Sequence, residues 1–159
     1  AIRSSSGRRT RWAGRAAAAG SGIDAAPALP ANVNVLLGDS MGELSAYYAA
    51  SDLAFIGGSL LPLGGQNLIE ACAAGVPVLI GPHTFNFTQA TNDAIAEGAA
   101  LRVSDPAALA RGLREIFTDK PRRLAMSAAA SAFAAKHRGA TARTVAVLGA
   151  LLRTQAEEQ

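Results

Sequence analysis

Four short apolar runs, each broken off at a turn and followed by helical spacing, constrain this chain more than any other feature. They are Val33-Asn34-Val35-Leu36-Leu37, Asp52-Leu53-Ala54-Phe55-Ile56, Val76-Pro77-Val78-Leu79-Ile80 and Ala99 to Val103. Apolar residues fill the runs without alternating, as expected of strands covered on both faces. Pro77 stands near the start of its run, where a missing N–H does least harm. Between the runs the period changes to that of a helix. Met41 to Ser51 carries Leu44, Tyr47 and Tyr48 at helical spacing. Asn67 to Ala74 is closed by Gly75, and Thr88 to Glu97 by Gly98. Asp105 caps a helix over Ala107 to Phe117, with Pro106 at its first position. Asp119 and Pro121 open another that ends near Gly139, and Thr141 to Gln155 forms the last.

The resulting order, βαβαβαβααα, predicts an α/β fold: a Rossmann-like, doubly wound parallel sheet. Such sheets bind ligands beyond the carboxyl ends of their strands. Here those ends are Gly38-Asp39-Ser40, Gly57-Gly58-Ser59, Gly81-Pro82-His83 and Ser104-Asp105. Four strands are few for this fold. The first follows an irregular stretch over residues 1–31, leaving 32–159 as the partial α/β domain. The chain is therefore expected to be a piece of something larger, and an uncovered sheet edge would favour self-association.

Composition narrows the class. Half of the 159 residues are hydrophobic and 17% are charged, which excludes a wholly disordered chain. Cys72 is the only cysteine, so there is no disulfide framework. No apolar run reaches the roughly 18–20 residues of a membrane span, and no signal peptide opens the chain. A reducing cytoplasm is the default compartment. The net charge of +3 is uneven. Arg3, Arg8, Arg9, Arg11 and Arg15 make a basic arm, read here as a solvated tail in preference to a grip on nucleic acid or an anionic membrane. The remainder is slightly acidic, and aromatics amount to 5%, so nucleic acid is not an expected partner.

Three motifs stand on the strand ends. In Gly38-Asp39-Ser40-Met41-Gly42-Glu43-Leu44 a helix begins just after a strand. Its free N–H groups suit an anion or a base edge, whereas Ser40 and Glu43 as a capping box is the plainer reading. The second motif, Gly57-Gly58-Ser59 to Gly64-Gly65-Gln66-Asn67-Leu68-Ile69-Glu70, runs a glycine-rich loop into a helix. Asn67 can donate to a phosphate there. Glu70, three residues on and on the same face, can accept from ribose hydroxyls. The alternative is a turn closed by a capping Asn. No Gly-Lys-Ser/Thr follows, so it is not a Walker loop, nor is it Gly-x-Gly-x-x-Gly. In the third, Gly81-Pro82-His83-Thr84-Phe85-Asn86-Phe87, His83 either touches a ligand or fixes its loop. No residues stand at metal-ligand spacing, and no cofactor is implied. Cys72 reads as a small buried residue.

In series, Leu37-Gly38-Asp39-Ser40-Met41-Gly42-Glu43-Leu44, Ala54-Phe55-Ile56-Gly57-Gly58-Ser59-Leu60, Gly64-Gly65-Gln66-Asn67-Leu68-Ile69-Glu70 and Gly81-Pro82-His83-Thr84-Phe85-Asn86-Phe87 resemble the 3-deoxy-D-manno-octulosonic acid (Kdo) transferase family over roughly 33–155. The resemblance implies the C-terminal, donor-binding domain of a GT-B glycosyltransferase. That enzyme moves Kdo from CMP-Kdo to a lipid A precursor at the cytoplasmic face of the bacterial inner membrane, without a metal. It implies CMP contacts at Met41, Gly42, Glu43, Asn67, Leu68, Ile69 and Glu70, with Ser59, Gly64, Gly65 and His83 in support. The family's acidic base lies in an N-terminal domain, so no catalytic residue is expected in this chain, which alone is expected to be inactive and soluble. The family's membrane-anchoring segment and a Pro-Arg-His segment are likewise expected to lie outside this chain, and Ser40 stands where Thr is usual. Two alternatives remain: another GT-B nucleotide-sugar transferase or epimerase, and a non-catalytic truncated module.

Overall fold

A computed structural model describes residues 35, 37–38, 41–139 and 144–149. In chain order the elements are α1 (Leu44–Ala49), β1 (Ala54–Phe55), α2 (Ile69–Ala73), β2 (Val78–Ile80), a single 3-10 turn (Phe85–Phe87), α3 (Thr88–Ala96), β3 (Ala100–Arg102), α4 (Pro106–Thr118) and α5 (Lys120–His137). Residues 144–149 are helical, inside the predicted last helix. The three strands are parallel and lie in the order β1-β2-β3. Ala54 pairs with Val78, and Val78 in turn with Ala100.

The predicted run over 33–37 departs from expectation. Positions 33, 34 and 36 lie outside the described residues. Val35 and Leu37 carry no ladder and are 84% and 76% exposed. The described sheet therefore has three strands, not four. The predicted helix over 41–51 begins later, at Leu44. Gly42 has φ +79°, which no α-helical residue adopts, so the first turn cannot extend back through it.

Both faces of the sheet are covered. Val78 and Ile80 point into a cluster that includes Leu68, Ala71 and Cys72 of the α2 segment, Ala94 of α3 and Phe133 of α5. Leu79, between them, packs into a second cluster with Ile116 of α4 and Met126 of α5. All three β2 side chains are fully buried, which explains a run with no polar alternation. Gly112 lets α4 lie close on that second face: an added Cβ would already stand 3.4 Å from Leu79 Cδ2.

The helix ends follow their residues. Asp105 accepts from the Ala108 N–H (2.8 Å) and Asp119 from the Arg122 N–H (2.9 Å), each followed by proline in the first turn. Helix α2 closes with the Val76 N–H donating to Ala71 O and the Gly75 N–H to Cys72 O. Helix α3 repeats this pattern through Ala99 and Gly98. Helix α5 lies along α2, where Ser127 Oγ donates to Gly75 O (2.5 Å). At its far end Lys136 meets Glu97 at 2.9 Å, an exposed ion pair that contributes little.

Cys72 is fully enclosed, and burial pushes its thiol up to about 11. The folded value lies above the ordinary one of 9.0, so this group's contribution to stability is complete below pH 9 and fades as pH climbs towards 11. Tyr48 is raised too, by burial first and then by the Glu70 and Cys72 charges, and acts in the same sense above its ordinary 10.0. A disulfide reagent at pH 8 is expected to leave the native thiol untouched and to titrate it fully in denaturant. Denaturation midpoints should fall between about pH 9 and pH 11, less steeply in Cys72→Ala.

Candidate functional site

The strand-end loops meet through Ser59. Its side chain is fully buried; Oγ donates to Ile56 O (2.5 Å) and accepts the Gly81 N–H (2.8 Å). Its carbonyl accepts the His83 N–H (2.9 Å). Ser59 thus joins the end of β1 to the end of β2, and its hydroxyl is consumed within the fold. Gly64 and Gly65, both buried, bring the two loops into contact. The Gly65 N–H donates to Gly58 O (3.2 Å), and a Cβ at Gly65 would stand 3.4 Å from His83 O.

At the head of α2, Asn67 Oδ1 accepts the Ile69 N–H (3.0 Å), while Nδ2 donates to Glu70 Oε1 (3.3 Å). The predicted pairing of these two side chains is present. Asn67 stands two residues before the first helical residue, outside the helix and ahead of its N-cap, Leu68. Glu70 is exposed, and it is the only formally charged residue between Asp52 and Asp93. The Leu68 side chain is fully buried and Ile69 packs on the core, so what they offer a ligand is backbone.

Helix α1 stands against α2. The Glu70 carboxylate raises the Tyr48 phenol, which places the exposed face of α2 beside α1. Met41 is 95% exposed, Gly42 has nothing within 4 Å of where a Cβ would be, and Glu43 is exposed. The predicted capping box involves Ser40, outside the described residues, and the helix begins later than that box requires. Glu43 occupies the N-cap position itself, with no side-chain bond to the helix. Among the described residues, no side chain caps the start of α1.

His83 is half-buried and borders a shallow cavity of about 340 Å³. Arg102, Asn92 and Thr88 border it too, and sequence reasoning passed over all three. The signal was there for Arg102, a guanidinium closing an otherwise apolar strand. Among the described residues, no three His, Cys, Asp or Glu side chains gather as metal ligands. No described helix is long and apolar enough to cross a membrane.

The family described as glycosyl transferases group 1 matches residues 25–133. The chain is 56% identical over 117 residues to the 3-deoxy-D-manno-octulosonic acid transferase of Bordetella pertussis, covering 74% of this chain and 27% of that protein. It is 39% identical over 118 residues to the enzyme of the same name from Haemophilus influenzae, covering 74% and 28%. The chain thus spans about a quarter of the length of these curated relatives. Among solved structures, the C-terminal CMP-Kdo binding domain of WaaA from Acinetobacter baumannii superposes with a TM-score of 0.57 at 34% identity, over 60% of this chain and 50% of that one.

Proposed function

Because the chain belongs to the group 1 glycosyl transferases, we propose that it is the donor-binding part of an enzyme that transfers Kdo from CMP-Kdo to a lipid A precursor. The observation that carries this reading is the Asn67–Glu70 pair at the head of α2, beside α1, with Glu70 the only formally charged residue between Asp52 and Asp93. The likeness to a CMP-Kdo binding domain supports the choice of nucleotide.

In this arrangement Asn67 donates its amide N–H to the donor phosphate. Glu70, already oriented by Asn67, accepts from the ribose hydroxyls. The backbone at Met41 and Gly42, open on the outer side, reaches the base or its ribose, with Glu43 next to it. Transfer breaks the bond between the anomeric carbon of Kdo and the phosphate oxygen. The electron pair leaves with CMP, and Asn67 meets the charge that develops there. The acceptor hydroxyl attacks from the opposite side and gives its proton to a base in an N-terminal domain. The assembled enzyme works at the cytoplasmic face of the bacterial inner membrane.

Calorimetric titration with CMP, with UMP as control, tests the reading. CMP is expected to bind more tightly than UMP. Glu70→Ala should weaken CMP on the order of tenfold or more, the usual effect of losing a hydrogen bond to a charged group, and Asn67→Ala somewhat less. Equal binding of both nucleotides, or unchanged CMP affinity in both variants, would overturn it.

A further inference from the structure

The cavity at the ends of β2 and β3 has no part in the reading above. Its walls include His83, Thr84 and Phe85 from the loop after β2, Thr88 and Asn92 from α3, and Arg102 from the end of β3. No acidic side chain lines it. Positive potential converges on it from several sides. Arg102 brings a permanent charge. Thr88 is the first residue of the nine-residue α3, whose N-terminus has no side-chain cap. His83 adds a ring N–H donor.

Arg102 is exposed, and its guanidinium is tethered by three hydrogen bonds of 3.1–3.4 Å. One terminal nitrogen donates to Gly81 O (3.3 Å) and Pro82 O (3.4 Å), and the other to Asn92 Oδ1 (3.1 Å). A guanidinium has five N–H donors, so these three bonds leave two for a ligand. A fixed, planar pair of donors suits a planar carboxylate better than a point charge does. The cavity also adjoins the nucleotide site, because His83 O faces Gly65 and the His83 N–H is bonded to Ser59.

We propose that this cavity receives the carboxylate of an acidic donor sugar, with Arg102 as its principal contact. The proposal rests on the donor reading, since the sugar named there is an acid whose carboxyl is ionised at neutral pH. The donor phosphate offers similar chemistry but is assigned to the head of α2. The two anions are separable, because CMP carries only the phosphate.

The test compares dissociation constants for CMP and for freshly generated CMP-Kdo in the wild type, Arg102→Met and Arg102→Lys. Arg102→Met should weaken CMP-Kdo by on the order of tenfold and leave CMP within about twofold, as expected for one charge-assisted contact. Arg102→Lys should recover part of the loss by restoring charge without the fork. Equal weakening of both ligands would overturn the proposal, since the arginine would then serve the phosphate or merely hold its loop. So would unchanged CMP-Kdo affinity. If the wild type binds neither ligand, the donor reading itself fails and takes this inference with it; if it binds CMP and only the arginine result is negative, the donor reading stands.

Discussion

Gly81→Ala is expected to cost about 3 kcal/mol or more, enough to leave much of the chain unfolded at 37 °C. Gly81 lies at the end of β2, where a Cβ would overlap the carbonyl carbon and oxygen of Ser59 and the nitrogen of Leu60. All three are backbone atoms. They cannot swing aside as a side chain can, and bonds on either side pin them. The Gly81 N–H is tied to Ser59 Oγ, and the Ser59 carbonyl to the His83 N–H. Relief would require opening the junction between the two loops, with the loss of those buried hydrogen bonds. Gly57→Ala is the matched control, because nothing lies within 4 Å of its Cβ position. Urea midpoints should separate the two by the whole effect, with Gly57→Ala within about 0.5 kcal/mol of the wild type. Similar midpoints would mean that the loop junction yields more readily than its hydrogen bonds imply.

Phe133→Ala should be as damaging, at about 3–5 kcal/mol. The ring is fully buried in the larger core cluster, beneath α2 and β2, and stands 4.5 Å from the His137 ring. Removing it subtracts apolar area and leaves a void among alanines. Ala71, Ala130 and Ala134 are too small to reach across it. Leu124→Ala on the same helix removes a side chain that is 58% exposed and should move the thermal midpoint little. A small shift for Phe133→Ala would show that α5 can settle onto α2 and close the gap.

Much of this architecture was legible because particular residues leave few choices. Asp105-Pro106 and Asp119 through Pro121 fixed two helix starts, and Gly75 and Gly98 fixed two helix ends. Unbroken apolar character at Val78-Leu79-Ile80 marked a strand covered on both faces. The failures have equally local causes. Ser40 to Glu43 matched a capping pattern, but the left-handed backbone at Gly42 set the helix start beyond it. In the run over 33–37, positions 33, 34 and 36 lie outside the described residues, and Val35 and Leu37 are exposed and unpaired, which apolar character alone does not report. Within the candidate site, a spacing of three along a helix put Asn67 and Glu70 on one face; the two do meet, but with Asn67 two residues ahead of the helix. Arg102 did not, because its partners, Gly81, Pro82 and Asn92, are ten or more residues away in sequence. Ser59 likewise stood only as part of a glycine-rich turn and, by the resemblance, as a supporting ligand contact, because its bond to Gly81 spans 22 positions.

Helix α1 buries none of its residues and touches the core only through the half-buried Tyr48. Helix α2 is roofed by α5 and carries Ala71 and Cys72 in the core. The two therefore have different lifetimes. Elements with little buried surface open on their own at small free-energy cost, whereas those at the centre open only with the whole domain. Asn67 and Glu70 thus stand at the more firmly packed element, and Glu43 at the start of the looser one. On the proposed reading, a ligand spanning both would put part of its binding energy into holding α1 down.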